Sequence, residues 1–357
     1  MSSNPRILIV RLTAIGDVLH GLPVLCALRD HLPGAELAWI VEGRASSLLE
    51  GHPALDRLIA VPRHWLKSLR TVRQVRREVR RFAPDVTIDV QGLMRSAVAA
   101  WLSGAKRRIG FGCEKGRELS PWLNNELVRS TAPHIIDANL ELLRPLGIEE
   151  PEVRFDLPET EADRQSCGEI FDRLGQSGPF ALFNVGAGWP SKLWRPERFA
   201  VVARHLGRRW GLPTIVVWAG VEERAAATAV VTQSDSCAVM APETSLRELA
   251  ALCRQATLFV GSDTGPLHLA AAVGTPCVGL YGPMPAERNG PYGPQHIALQ
   301  KATYQGGRHG RRKAPQTLMD AISIEDVCGA CDEILDRVDL SRVRESALPS
   351  GSLVNGR

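Results

Sequence analysis

The sequence predicts an α/β protein made of two doubly wound domains, each built on a parallel sheet. Its 357 residues are too many for one ordinary hydrophobic core, because domains average about 150 residues. Short β-branched apolar runs alternate with longer amphipathic segments, which is the pattern of βαβ units. The alternation occurs twice, on either side of an acidic, proline-containing stretch. We therefore expect two domains of the same class.

The first half begins with four predicted strands, rich in Val, Ile and Leu, at residues 7–10, 37–41, 58–61 and 86–90. Near-continuous apolar runs of this length are typical of strands that are buried on both faces of a parallel sheet. We expect this half to form an N-terminal domain over residues 1–158.

The second half restarts the same rhythm, with predicted strands at residues 180–184, 214–218, 238–240, 258–260 and 277–280. The acidic stretch 147–161 suits a linker, since prolines and charges interrupt it. We expect a C-terminal domain over residues 159–339. The polar segment 340–357 is predicted to be disordered.

The composition narrows the class of protein. No run approaches the roughly 20 apolar residues of a membrane span, and the first residues lack the apolar core of a signal peptide, so we expect a cytoplasmic protein. A net charge of +4 is too small to indicate nucleic-acid binding. The eight cysteines lie in apolar contexts typical of reduced, buried thiols. The pair Cys328 and Cys331 lacks the further ligands of a zinc site, and neither a D-x-D pair nor HExxH occurs, so no metal or other cofactor is predicted.

The segment Ser262-Asp263-Thr264-Gly265-Pro266-Leu267-His268 reads as a turn between a strand and a helix. Free N–H groups and the helix dipole at such a point suit a phosphate, and glycine lets a ligand approach the backbone closely. Any α/β protein also needs capped helices after its strands. This geometry alone leaves a phosphate loop and a routine helix cap open.

Asp17 follows the first predicted strand directly, beside Gly16, where α/β folds place their clefts. Its carboxylate would cap the next helix or take a proton from a substrate hydroxyl. A dinucleotide fingerprint GxGxxG is absent, which argues against an NAD-dependent dehydrogenase.

Two further candidate segments follow strands of the second half. The loop with Gly188, Ser191 and Lys192 lacks the order of a P-loop, and its lysine is either solvated or neutralises a phosphate. Glu222 and Glu223 begin a helix, where acids either hold ribose hydroxyls or simply complement the helix dipole.

Residues 63–82 predict one amphipathic helix with an apolar face that includes Leu66, Leu69, Val75 and Phe82. Eight basic groups and a single acid, Glu78, occupy the rest of its surface. Such a helix suits an anionic membrane surface or an acidic acceptor, and a plain solvated face is the alternative.

Over residues 6 to 335 the order of these motifs resembles glycosyltransferase family 9, the ADP-heptose lipopolysaccharide heptosyltransferases. The most specific motifs lie at residues 15–20, 89–96, 192–196, 262–268 and 281–283. The segment Gln91-Gly92-Leu93 is more similar to the member that acts first, on Kdo, than to the second. The loop before Lys192 departs from the family pattern, and residues 304–315 form a basic, glycine-rich insertion, for which a mobile loop is one interpretation.

The resemblance implies a GT-B architecture of two facing Rossmann-like domains and an inverting transfer of heptose from ADP-heptose to a Kdo-lipid A type acceptor, next to the anionic inner face of the inner membrane. Asp17 then matches the catalytic base, and Lys192 assists the departing diphosphate. Donor-binding residues would be those of segment 262–268, with Glu222 or Glu223, Gly188 and Ser191. Acceptor-binding residues would be Arg63, Lys67, Gly16, Gln91 and Arg117. The alternatives are a related transferase for another sugar or acceptor and a non-catalytic nucleotide- or glycan-binding module.

Overall fold

The computed structural model describes residues 4–338, and the chain divides into two compact units, Met1–Pro158 and Glu159–Arg357. The division lies within the acidic, proline-containing stretch. The predicted disordered tail, residues 340–357, lies outside the described residues. Within residues 4–338, no helix is both long enough and apolar enough to span a bilayer.

The first unit is a parallel sheet with helices on both faces. Its strands are β1 (Arg6–Val10), β2 (Glu36–Glu42), β3 (Arg57–Val61), β4 (Val86–Asp89), β5 (Arg107–Phe111) and β6 (Glu126–Val128). Its helices are α1 (Ile15–Leu19), α2 (Leu22–His31), α3 (Leu69–Phe82), α4 (Met94–Ser103), α5 (Ser120–Leu123) and α6 (Ile135–Leu140), with 3₁₀ turns at Gly43–Leu48, Trp65–Lys67 and Glu141–Leu146.

The sheet order is β3-β2-β1-β4-β5-β6, which is the Rossmann order. Ile7, Leu8, Ile9 and Val10 are fully buried, because β1 lies at the centre between β2 and β4. The chain runs one way from β1 to β3 and the other way from β3 to β6. Since crossovers are right-handed, α3, α4 and α5 share one face of the sheet, and α1 and α2 cover the other.

The second unit repeats this plan. Its strands are β7 (Ala181–Asn184), β8 (Thr214–Val217), β9 (Ala238–Met240), β10 (Leu258–Ser262), β11 (Cys277–Leu280) and β12 (Ile297–Leu299). Its helices are α7 (Glu161–Leu174), α8 (Pro196–Trp210), α9 (Gly220–Thr232), α10 (Leu246–Gln255), α11 (Gly265–Ala272), α12 (Ala286–Asn289), α13 (Thr317–Asp320) and α14 (Ile324–Arg337), with 3₁₀ turns at Pro190–Lys192 and Arg308–Lys313.

The order β12-β11-β10-β7-β8-β9 is the Rossmann order again, counted from the unit's own first strand. A core cluster of this unit packs α8 and α14 against one face of the sheet, through Phe183, Phe199 and Ile334 among others. The predicted α/β class with two Rossmann-like sheets is therefore confirmed.

The sequence analysis did not predict three of the strands, β5, β6 and β12. Strand β5 starts with Arg107 and Arg108, and the other two are three-residue strands at sheet edges. Edge strands are half solvated and short, so their apolar signal is weak.

The prediction of one continuous helix over residues 63–82 was wrong for the residues before Leu69. The chain makes a 3₁₀ turn at Trp65–Lys67, becomes extended at Ser68 and starts α3 at Leu69. Leu69, the first residue of α3, is 75% exposed, whereas Val75, Val79 and Phe82 are buried.

All eight cysteines are free thiols. Five are buried, and burial raises the pKa of Cys26 to about 12. Cys113 is exposed, which corrects the expectation that all of them are buried.

Candidate functional site

The candidate residues lie at the carboxyl ends of the central strands in each unit. In doubly wound sheets ligands bind where the strand order reverses, which is between β1 and β4 in the first unit and between β7 and β10 in the second. Asp17 follows β1 and Gln91 follows β4, whereas Lys192 follows β7 and Thr264 follows β10. The two sheets therefore each present one candidate region.

Asp17 lies in the first turn of α1 with its side chain 44% exposed. One carboxylate oxygen lies 2.6 Å from Nη2 of Arg11, and the other accepts a 3.1 Å hydrogen bond from the amide of Ala14. Asp17 thus caps the helix and still presents a solvated carboxylate. Both roles that the sequence left open are compatible with this position.

Arg11 is the residue that orients Asp17, and the sequence analysis assigned it no role. Its side chain is only 6% exposed, and its Nη1 donates to the carbonyl oxygen of Val90. The indole of Trp39 donates to the carbonyl of Arg11 at 3.1 Å. The sequence did carry one signal for Arg11, because this charged residue directly follows four apolar ones.

A second arginine closes the other side of this turn. Arg95, from α4, donates a 2.8 Å hydrogen bond to the hydroxyl of Thr13 and pairs with Glu42 at 3.1 Å. Burial raises the pKa of the Glu42 carboxyl, although the charge of Arg95 opposes this. The loop between β1 and α1 is therefore held by charged side chains from β2 and α4.

Gln91 and the backbone of Arg117 both lie next to Gly92. Gln91 accepts a 2.8 Å hydrogen bond from the amide of Leu12, and the amide of Arg117 donates to the carbonyl of Gly92 at 2.9 Å. The buried carboxylate of Asp89 accepts from the amides of Gln91 and Gly92. Burial raises the pKa of Asp89, and these amides oppose it.

Gly16 lies beside Asp17 in α1, partly exposed, whereas Arg63 and Lys67 lie elsewhere. Both basic residues are exposed and follow β3, the edge strand. That strand is two positions from β1, about 10 Å across the sheet. The structure therefore does not bring these two side chains into contact with Asp17.

In the second unit Lys192, Asp263 and His268 form a buried cluster. Nζ of Lys192 lies 2.6 Å from one oxygen of Asp263, and Nε2 of His268 lies 3.1 Å from the other. Burial alone would raise the pKa of Asp263, which is only 4% exposed. The hydrogen bond to His268 and the charge of Lys192 outweigh burial and lower this pKa to about 2.

The predicted phosphate loop divides into interior and accessible residues. Ser262 is the last residue of β10 and is buried. Asp263, Leu267 and His268 are also buried and face the protein interior. Partly exposed residues are Thr264, Gly265 and Pro266, at the start of α11.

Thr264 occupies the N-cap position of α11 but does not cap it with its side chain. Its hydroxyl donates to the carbonyl of Ser262 at 3.1 Å and accepts from the amide of Asn184 at 3.3 Å. Among the described residues no side chain caps this helix start. The arrangement therefore suits an anion at the amide of Gly265.

The loop after β7 holds Lys192 in place. Asn184 donates to the carbonyl of Gly186 at 3.0 Å, and Gly188 is exposed. Ser191, predicted to bind the donor, is buried, and its hydroxyl donates to the carbonyl of Arg311 at 2.8 Å. Its hydroxyl therefore anchors the turn Arg308–Lys313.

The two glutamates at the start of α9 differ in their exposure to solvent. Glu222 is exposed, whereas Glu223 is half buried and accepts a 2.8 Å hydrogen bond from the amide of Ala219. Burial raises the pKa of Glu223. A Cβ at Gly186 would clash with the Glu223 carboxyl group, so this carboxylate lies against the loop after β7.

Two residues of the recognised motifs belong to the core. Trp194 is buried, and its indole donates to the carbonyl of Ile322. Tyr281 is fully buried with its hydroxyl donating to Asn289. Within residues 4–338, no group of three His, Cys, Asp or Glu side chains is arranged to hold a metal ion.

The family described as Glycosyltransferase family 9 (heptosyltransferase) matches residues 72–317 of the chain. Lipopolysaccharide heptosyltransferase 1 of Salmonella typhimurium is 30% identical over 311 residues, which cover 82% of this chain and 93% of that protein.

Two solved structures share the fold over nearly the whole chain. A glycosyl transferase of family 9 from Veillonella parvula has a TM-score of 0.83 at 25% identity, covering 94% of this chain and 98% of that one. The E. coli heptosyltransferase WaaC with ADP-2-deoxy-2-fluoro heptose has a TM-score of 0.69 at 24% identity, covering 92% of this chain and 99% of that one.

Proposed function

Because the chain belongs to glycosyltransferase family 9, we propose that it transfers heptose from ADP-L-glycero-D-manno-heptose to a Kdo-containing acceptor of the lipopolysaccharide inner core, with inversion at the anomeric carbon. The Salmonella relative carries the name of that activity at 30% identity. An enzyme of the same fold was solved with an ADP-heptose analogue, which supports an ADP-sugar as donor.

The observation that carries the reaction is the solvated carboxylate of Asp17, held in one orientation by buried Arg11. In the proposed reaction the acceptor oxygen attacks the anomeric carbon, and Asp17 takes the proton of that hydroxyl. The bond from the anomeric carbon to the phosphate oxygen breaks, and its electron pair leaves with ADP.

On the donor side, we assign the diphosphate to the start of α11, with Thr264 and Gly265 as the closest residues. Helix N-termini favour negative charge, and here no side chain from the described part of the chain caps this one. Lys192 adds positive charge, which Asp263 partly compensates. Glu223 is the better candidate for the ribose hydroxyls, since Glu222 points to solvent.

On the acceptor side, Gln91, Arg117 and Gly16 are the nearest candidates to Asp17. Arg63 and Lys67 would contact parts of the acceptor farther from the reacting hydroxyl, such as its phosphates or carboxylates. Guanidinium and ammonium groups suit both.

Peripheral contact with an anionic membrane is part of the proposal, because the acceptor is a lipid. Helix α3 exposes Arg70, Arg73 and Arg77, and the neighbouring α4 exposes Trp101. Arginine and tryptophan together are typical of surfaces that bind anionic lipid headgroups. Arg77→Glu should weaken binding to phosphatidylglycerol vesicles by about thirtyfold, since the reversal changes two charges and each contributes about 1 kcal/mol. Arg173→Glu on α7 is the matched control, and equal binding by both variants would remove α3 from the proposal.

The decisive experiment is transfer to a defined Kdo-lipid acceptor with purified protein and a panel of nucleotide-sugars. ADP-heptose should be the preferred donor, and the product should carry the inverted anomeric linkage by NMR. Turnover with another sugar alone would assign the chain to a different member of the family. Donor binding without turnover on any acceptor would favour a binding module.

A further inference from the structure

The basic, glycine-rich segment 304–315 is attached to the loop that carries Lys192. The hydroxyl of Ser191 donates to the carbonyl of Arg311, and the guanidinium of Arg312 lies 5.2 Å from the ring centroid of Trp189. Nζ of Lys192 lies 4.5 Å from the centroid of the same ring. The turn Arg308–Lys313 is therefore held beside the donor region of the second unit.

Arg311 connects loops from two strands that flank β10. Its carbonyl is bound by the loop after β7, and its Nη1 lies 3.6 Å from the sulfur of Met284, in the loop after β11. A Cβ at Gly282 would lie 3.4 Å from the carbonyl oxygen of Ser191, so these two loops meet. Strand β10 lies between β7 and β11 and leads into Thr264 and α11. Arg311 therefore lies at the end of the sheet where α11 begins.

The charge of Arg311 has no counterpart among the residues that the structure describes. Within residues 4–338 no carboxylate pairs with it, and its Nε is shielded from solvent without a hydrogen-bond partner. A shielded guanidinium nitrogen without a partner is costly, since it loses water without gaining a hydrogen bond. Lys192 differs, because Asp263 already compensates its charge.

We infer that Arg311 binds the diphosphate of the nucleotide-sugar donor, opposite the amides at the start of α11. This inference rests on the proposed function. When the bond between the anomeric carbon and the phosphate oxygen breaks, its electron pair adds negative charge to the diphosphate, while the acceptor proton passes to Asp17. Arg311 supplies the uncompensated positive charge for that leaving group.

The test is calorimetric titration of the full chain with ADP, UDP and GDP. Arg311→Ala should lower affinity for the preferred diphosphate by about tenfold or more, as expected for a charge-assisted hydrogen bond. Arg311→Lys should recover part of this loss, because it keeps the charge. Lys313→Ala, which removes an exposed charge from the same turn, should bind as the wild type does.

Unchanged affinity in Arg311→Ala would overturn the inference. It is also overturned if Arg311→Ala and Arg311→Lys lose affinity equally and both melt earlier without ligand, since that pattern indicates a structural role. A wild type that prefers UDP or GDP contradicts the ADP-heptose donor, and the Arg311 comparison is then made on the preferred diphosphate. A wild type that binds none of the three overturns both proposals.

Discussion

Two aspartates lie near the strand-order reversals of the two sheets, Asp17 beyond β1 and Asp263 beyond β10, and their surroundings are opposite. Asp17 is 44% exposed and pairs with one buried arginine. Asp263 is 4% exposed and bonds both Lys192 and His268. A carboxylate that meets solvent can exchange a proton with a substrate, whereas one enclosed by two basic groups has its oxygens occupied.

The difference shows that membership of a sequence motif does not by itself identify the residue that reacts. Both aspartates belong to specific sequence motifs, yet the geometry of Asp263 suits positioning of Lys192 and of the loop. Asp17 looked like a routine helix cap, and its geometry suits proton transfer. Substitution of each aspartate should therefore affect different measurements.

The largest expected effect is on catalysis by Asp17→Asn. The amide keeps the size of the side chain but is a very poor base, so kcat should fall by about 10²- to 10⁴-fold. Affinity for ADP should not change, because the proposed ADP site lies in the second unit. Steady-state kinetics and ADP titration on the same preparation measure both.

The matched control for Asp17 is Asp30→Asn. Asp30 pairs with Arg154 at 2.6 Å and is 39% exposed, so it loses a similar ion pair outside the candidate region. Its kcat should stay at the wild-type value. A catalytic loss of equal size in both variants would mean that the effect of Asp17 comes from the ion pair.

Asp263→Asn should lower the stability of the folded protein. Breaking a buried pair leaves Lys192 without its counter-charge, and the free energy of unfolding should fall by about 3–5 kcal/mol. Asp320→Asn removes a bidentate pair to the more exposed Arg195 and should cost less than about 1 kcal/mol. Urea unfolding of both variants tests this, and similar losses would contradict the contrast between buried and exposed pairs.

The pH dependence of stability should follow Asp263. Its pKa of about 2 in the folded state is below the value near 4 expected when unfolded, so the folded state is stabilised above pH 4. This stabilisation, about 2 kcal/mol, should be lost as the pH falls from 4 to 2. The unfolding free energy of Asp263→Asn should decline less over that interval. Parallel curves for the two proteins would argue against the lowered pKa.

The smallest expected effect concerns Glu223, which is more exposed than Asp263. Glu223→Gln should weaken ADP binding by about 1–3 kcal/mol if it holds the ribose, and Glu222→Gln should not. Gly186→Ala should mimic the former, because the added Cβ would displace the Glu223 carboxylate. Titration of the variants with ADP measures these affinities. A loss of affinity confined to Glu222→Gln would assign the ribose hydroxyls to Glu222 instead.

Sequence patterns predicted the positions of the strand ends well. They predicted the contacts of the side chains at those ends less well. Apolar runs predicted nine strands, and the structure contains each of them within residues 4–338. Strands β5, β6 and β12 were missed, because short strands at or near a sheet edge carry few apolar residues. Arg11 and Arg311 were not assigned as functional residues, because their importance depends on partners distant in sequence.

By itself, the sequence determined the fold class, the two domains of similar plan and the strand ends that carry Asp17, Lys192 and Thr264. Periodicity and turn residues are local properties, so the chain order records them. Only the tertiary structure decided that Asp263 is enclosed by Lys192 and His268 and that Glu223 rather than Glu222 turns inward. It also decided that Ser191 holds the turn of Arg311. Burial and ion pairing arise between segments brought together by folding, and no local pattern encodes them.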